Sequence, residues 1–576
     1  MPRRRWKQGF GLAALLLLAL AVWVGWQAVH VRRDLATVQS QVRRLRAQAT
    51  AGDYGGARRT LIQVRAEVSD TADRTGDPVW RVGAAVPVLG RDLSAVRRGA
   101  EGAQQLATTV LPDVERLTEL VQQHPPLQGG AVQLGTLPAL EPLVDRSSAA
   151  AARVRKHLAA APRPLLPQVR SGLASLDTQV AQLDDALRSA ASTLRVMPAM
   201  LGADGPRRYF VAVQNNAEAR ATGGLVGAYA IVTADRGRLN LDRAGSDNDF
   251  KIPATPIRLP ADASRVWKMQ GLAQYWYYMN LTPHLPDLAT ALAGMWTAQS
   301  GQHLDGVLLL DPIAMAELLR PSGPVGLPGG VRVGPNDVAD FVMHREYVLF
   351  DGAKDQAPRK QLVSALAGAV FHSVLAGGHP TATLSAVSAA VQSGHLQLWS
   401  AHASEQAVLR AGIVGGALPK ADSPYLQVLT QNFGGDKLDY YVRRQVRVTR
   451  VGDGRLRVEV QLRNVVPPGL PTYMTVRSDH PQPPVPVGQA RLGLSVYGAL
   501  SSRFDQVQRD GATSTMVFDT DHGHAFGTLL LELPPGATRT VSVLVTEPRG
   551  RLDYRQQPLA YPDALQLEVP HRVIGR

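Results

Sequence analysis

Between Phe10 and Val29 the chain runs for twenty residues with Gln27 as the only strongly polar member. At about 1.5 Å rise per residue, a helix of that length spans roughly 30 Å, the thickness of a bilayer's hydrocarbon core. The pattern then becomes amphipathic. Leu35, Val38, Val42 and Leu45 recur at heptad-like intervals, and Leu173, Leu176, Val180, Leu183, Leu187 and Leu194 repeat them more cleanly, which predicts helices over residues 32–195. Breaks at Gly55-Gly56, Pro78, Pro87 and Pro125-Pro126 divide the stripe into returning segments. An internal bundle or stalk is therefore expected, with a partner-binding coiled coil as the alternative.

After Pro198 short apolar runs replace the stripe. Tyr209–Val213 and Ala228–Val232 predict buried strands, and the stretches around Leu285–Trp296 and Leu362–Leu375 predict helices. Asp305 to Pro312 predicts a turn, a buried strand and a helix start, with Asp311 as the cap ahead of Pro312. From Tyr440 alternation dominates: Val446 and Val448, then Leu456, Val458, Val460 and Leu462 across a Gly452-Asp453-Gly454 turn, and later Val541, Val543 and Val545. The expected organisation is a cytoplasmic stub and transmembrane helix over 1–31 and an extracytoplasmic α-helical stalk or bundle over 32–198. An α/β domain over 199–430 and a β-sandwich-like domain over 431–576 follow.

Charge gives the first helix an orientation. Arg3, Arg4, Arg5 and Lys7 precede the apolar run, and Arg32 and Arg33, partly offset by Asp34, follow it. The bias places the N-terminus in the cytoplasm and the bulk outside the cell membrane as a single-pass protein. A cleaved signal peptide is the competing reading, but its apolar core is typically only about 7–15 residues and no small-residue cleavage site follows here. The chain has 576 residues, a formal net charge of +14 and no Cys, so disulfides, Cys-ligated zinc and thiol nucleophiles are excluded. Only eight of the 62 basic residues are Lys, and the Arg are scattered instead of forming a stripe interleaved with aromatics. Nucleic acid is therefore set aside as a partner, in favour of lipid head groups, phosphate-linked polymers and polyprenyl phosphates.

The densest polar cluster is Gln214-Asn215-Asn216-Ala217-Glu218-Ala219-Arg220-Ala221-Thr222-Gly223-Gly224, expected as a loop between two strands. Turn residues alone account for a plain loop. The same residues suit a phosphorylated ligand: Arg220 as a bidentate donor, the glycines exposing backbone N–H groups, and Glu218 holding a cation or taking a proton. A second cluster, Phe341–Tyr347 with His344, Arg345 and Glu346, leads to Asp351, Asp355, Arg359, Lys360 and Gln361. It reads either as a solvated helix start or as the other half of a pyrophosphate site. Asp247, Asn248 and Asp249 fall in a loop between the two. Asp519-Thr520-Asp521-His522-Gly523-His524 has metal-site residue types, although in a hairpin loop such residues are more often only solvated. No Gly-x-Ser-x-Gly or His-Glu-x-x-His is present.

The order Arg208-Tyr209-Phe210, then Gln214 to Gly224, then Asp305-Gly306-Val307, Gly323-Pro324-Val325 and Asn432-Phe433-Gly434-Gly435-Asp436-Lys437-Leu438-Asp439-Tyr440-Tyr441 resembles the bacterial domain-of-unknown-function family numbered four-zero-one-two. The family is typical of exported envelope proteins of high-GC Gram-positive bacteria and carries no established activity. Over roughly 205–375 the chain is also distantly similar to the LytR-CpsA-Psr domain, through Asp311-Pro312, Pro321 to Val325, Phe341 to Arg345, and Asp355, Arg359 and Gln361. Met343 stands where that family has its first Arg, and Asn215, Glu218 and Arg220 replace its usual Asp/Arg set.

This second resemblance implies an α/β domain that transfers glycopolymers from polyprenyl-pyrophosphate carriers to the cell wall. Glu218, Arg220 and Asp355 would be catalytic. Asn215, Arg220, Arg345, Arg359 and Gln361 would bind pyrophosphate, and Glu218 with Asp247 would hold Mg2+. The alternative expectation is a non-catalytic binding or scaffold protein of surface-polysaccharide assembly, working with other envelope-assembly proteins.

Overall fold

The computed structural model describes Arg44, Gln48, 54–76, 78, 80, 90–124, 127–267, 271–350, 356–376, 380–452 and 454–575. The apolar run Phe10–Val29 with its flanking charges, the positions Leu35, Val38, Val42 and Leu45, and Asp351 and Asp355 lie outside these residues. Among the described residues no helix is long and apolar enough to cross a membrane. The chain is multidomain, built of helices and several sheets, and divides into two compact units. One is helical. The other takes in 198–575 together with the hairpin Leu127–Val132, so that the α/β and β parts form a single unit.

The helical unit consists of Tyr54–Gly76, Gly90–Gln123, Leu137–Ala159 and most of Pro167–Met200. The expected stripe is its seam: Val180 is buried, and Leu173, Leu176 and Leu187 pack with Leu106, Ala151, Val154 and Leu158. Gly55 and Gly56 fall inside the first turn of a helix instead of breaking one. Helix Gly90–Gln123 ends ahead of Pro125-Pro126 in the sequence. The residues that follow form a short hairpin whose Ala131 pairs with Arg238 in the other unit's sheet.

That sheet has seven strands in the order Leu127–Gln128, Ala131–Val132, Arg238–Ser246, Gly223–Asp235, Arg207–Arg220, Gly306–Leu310 and Leu396–Ser400. Only Arg207–Arg220 against Gly306–Leu310 is parallel. Side chains alternate between its faces and both faces are covered. On one, Phe210, Tyr229, Phe250, Trp276 and Trp296 form a continuous aromatic cluster beside helix Leu285–Ser300. On the other, Val213 and Ala228 pack under helices Pro312–Leu319 and Gln356–Leu375. Asp311 caps the first of these, its Oδ1 accepting from Ile313 N and Ala314 N at 3.0 Å.

Beyond Tyr425 two six-stranded sheets share one core. Val446, Val448, Leu456, Val458, Val460, Leu462, Val541, Val543 and Val545 come from one sheet, and Leu426, Val428, Leu492, Leu494 and Val496 from the other. The expected alternation is thus the inward face of a two-layer β structure.

Candidate functional site

The Gln214–Gly224 cluster is not a loop. Strand Arg207–Arg220 runs through it, paired with Gly223–Asp235 on both sides of register shifts at Val213/Gln214 and between Asn215 and Ala219. Buried partners replace the ladder across this bulge. Asn216 donates to Asp311 Oδ2 and to Pro558 O, both at 2.9 Å, and Ala219 N donates to Asp439 Oδ2 at 3.0 Å. The glycine pair permits close packing. A Cβ on Gly224 would lie 2.0 Å from Asn215 O, and Gly223 has φ +139° with Gln214 Oε1 2.6 Å from where a Cβ would stand.

Asn215 and Glu218 are brought to one cleft with Asp247, Glu346, Tyr347, Arg359, Lys360, Lys437 and Tyr473, enclosing about 60 Å3 of free volume. Asn215 Nδ2 donates to the Tyr347 hydroxyl at 2.6 Å. Glu218 is buried and accepts from Arg220 Nη2 at 2.8 Å and from Lys437 Nζ. Burial works against its charge, but Lys437 and Arg220 hold the carboxyl below its ordinary range. The same carboxylate, working against desolvation, keeps the Lys437 ammonium above its ordinary range.

Arg359 donates to Glu346 Oε1 at 2.6 Å and to Gln356 Oε1 at 2.8 Å. Its guanidinium lies 4.8 Å from the Tyr347 ring centre and 5.5 Å from that of Tyr473, and the two rings stack at 5.7 Å. Lys360 Nζ donates to Asp247 Oδ1 at 2.6 Å. Burial pushes Glu346 up to about 7 in spite of Arg359, and its Oε2 and the Arg359 Nε are buried without a hydrogen-bond partner.

Arg220 stands behind the cleft, committed to Glu218 and to Asn432 O at 2.6 Å. Arg345 and Gln361, expected at the pyrophosphate, are exposed and do not line the cleft. Glu218 and Asp247, expected to share a divalent cation, each already hold a lysine, so this donor set does not fit a resident metal. Among the residues lining the cleft, Arg359, Lys360 and Lys437 balance Glu218, Asp247 and Glu346 when all are ionised, and leave one cation in excess once Glu346 is protonated.

Glu346, Tyr347, Lys360 and Lys437 stood inside quoted sequence clusters without an assigned role. The signal that could have found Lys437 is its place in the Asn432–Tyr441 stretch, beside Asp436 and Asp439. Tyr473 had no local signal.

No curated protein and no solved structure matches the chain. Residues 204–347, which supply Asn215, Glu218, Asp247, Glu346 and Tyr347 to the cleft, match the model of the family described as "Protein of unknown function (DUF4012)", the family that the sequence motifs resemble.

Proposed function

We propose that the chain is a single-pass, membrane-anchored, extracytoplasmic protein of cell-envelope or surface-polysaccharide assembly that holds the phosphorylated end of a polyprenyl-linked glycan in this cleft. The observation that carries the reading is the convergence of Asn215, Glu218, Asp247 and Arg359 with Lys360, Lys437 and two stacked tyrosines. The three cations Arg359, Lys360 and Lys437, one in excess once Glu346 is protonated, suit a phosphate, and the exposed ring of Tyr473 suits the C–H face of a sugar. Anchorage rests on Phe10–Val29, which would keep the cleft near the leaflet that carries such a lipid. Holding is favoured over transfer because Arg220 is committed to backbone and Glu218, Arg345 lies elsewhere, and the carboxylates intended for Mg2+ carry lysines.

Transfer is the second reading, and one observation favours it. Glu346 lines the cleft, is pushed up to about 7 and has a buried Oε2 without a hydrogen-bond partner, which would take a proton from an attacking sugar hydroxyl that reached it. Calorimetric titration of the full chain in detergent with a polyprenyl-pyrophosphate-linked disaccharide tests both. Saturable binding, weakened at least tenfold by Lys360→Ala, with the lipid unchanged after incubation with acceptor glycan, is the expected result. Product that disappears in Glu346→Gln would replace holding by transfer, and no binding would overturn both readings.

A further inference from the structure

The Asp519–His524 segment, left aside by the cleft, acquires partners through the fold. Strands Val517–Asp521 and His524–Leu533 are joined by His522 and Gly523, both at positive φ (+48° and +83°), a tight hairpin turn that projects the His522 side chain. It meets the start of helix Leu285–Ser300, where His284 is the residue before the first turn and Asp287 lies within it. His522 Nε2 is 2.8 Å from Asp287 Oδ2, and its ring stacks on His284 with centres 3.9 Å apart. One potential ligand atom from each of His284, Asp287 and His522 lies within 4.8 Å of the others.

A further group points into this set. Asp521 is fully buried; its Oδ2 accepts from Tyr497 OH at 3.1 Å, while its Oδ1 has no hydrogen-bond partner and lies 4.0 Å from His522 Nε2. On the far side of the imidazole, His522 Nδ1 is 3.6 Å from Asp262 Oδ2, the arrangement in which a carboxylate orients a metal-binding histidine. His284 is different. Its Nδ1 accepts from Leu418 N at 3.0 Å, so in the neutral ring the proton is on Nε2 and no lone pair is left for a metal.

We infer that His522 Nε2, Asp287 and Asp521 Oδ1 form a divalent-cation site of the zinc or manganese class, with water completing the shell and His284 acting as a stacked hydrogen-bond donor. Imidazole with carboxylates favours these ions over Mg2+ or Ca2+. Bonds of about 2.0–2.1 Å in a tetrahedron separate ligand atoms by roughly 3.3 Å, a value that the distances of 2.8 and 4.0 Å bracket. The cation would take the place of the proton now shared by His522 and Asp287. It would fasten the hairpin of the β part to a helix of the α/β part.

The test is titration of the metal-stripped full chain in detergent with zinc alone and manganese alone, with calcium for comparison. One saturable site is expected for zinc or manganese and none for calcium. Affinity should fall more than tenfold in His522→Ala and in Asp521→Asn, and less than threefold in His284→Phe, which keeps the stack. Because a variant in this buried set can fail to fold, hydrogen exchange of the wild-type chain supplies a second readout. Added zinc should slow exchange in Val517–Asp521 and at the start of Leu285–Ser300. Absence of a saturable site, undiminished affinity in His522→Ala, or unchanged exchange overturns the site. A loss in His284→Phe as large as in His522→Ala overturns the ligand assignment.

Discussion

Asp439 accepts from Ala219 N and, at 2.6 Å, from Asn432 Nδ2, which also donates to Asp436 Oδ1 at 2.8 Å. Burial, and for Asp439 the neighbouring Asp436, pushes the two carboxyls up to about 7 and about 6. The folded state therefore keeps protons that the unfolded chain releases near pH 4. Stability falls as pH rises from about 4 through 7, the slope being set by the difference in bound protons. Asp439→Asn removes the charge and keeps an oxygen for Ala219 N. Thermal melts should show the variant gaining at least ~2 °C over wild type at pH 8 and nothing at pH 4. An unchanged pH slope would show that Asp439 is ionised at no cost. Asp439 is an instance of what a single residue type conceals. Its letter in the sequence says solvated acid, and only burial beside another acid makes it a group that titrates near neutrality.

The strand pair Arg207–Arg220 and Gly223–Asp235 shows how far local pattern carries an element. Tyr209–Val213 and Ala228–Val232 were legible because alternate side chains reach two cores, and Asp311-Pro312 was legible because an N-cap and a proline at the first helical position are satisfied within four residues. The bulge was not. Asn, Gly and Thr in series carry turn signals whether or not distant acceptors take up the segment's donors, and here Asp439 accepts from Ala219 N while Asp311 and the Pro558 carbonyl accept from the Asn216 side chain, across at least 95 residues. Gly224→Ala would put a Cβ against Asn215 backbone that has no rotamer to change. Denaturant unfolding should report a loss of ~3 kcal/mol or more. Retained stability would mean that the bulge can open and that the glycine is free for a ligand.

At the scale of the molecule, the boundary expected near residue 430 is crossed by the cleft's own bonds. Lys437 reaches Glu218, Arg220 donates to Asn432 O, and Gln557 Nε2 donates to Arg220 O at 2.8 Å. Scanning calorimetry should therefore show the α/β and β parts melting in one transition. Lys437→Met, which leaves a buried carboxylate with one partner fewer, should lower that transition without splitting it. Two separate peaks for these parts would refute the coupling. The sequence alone determined what depends on neighbours in the chain: the apolar run, the heptad stripe, the alternating strands, the cap and the family motif, since period and composition are local properties. Tertiary structure decided which charges meet. It put Lys437 and Tyr473 beside Glu218, sent Arg345 and Gln361 to the surface, and gave His522 its carboxylates. Ion pairing is set by separation in space and by desolvation, and neither is written in residue spacing once the chain has folded back on itself.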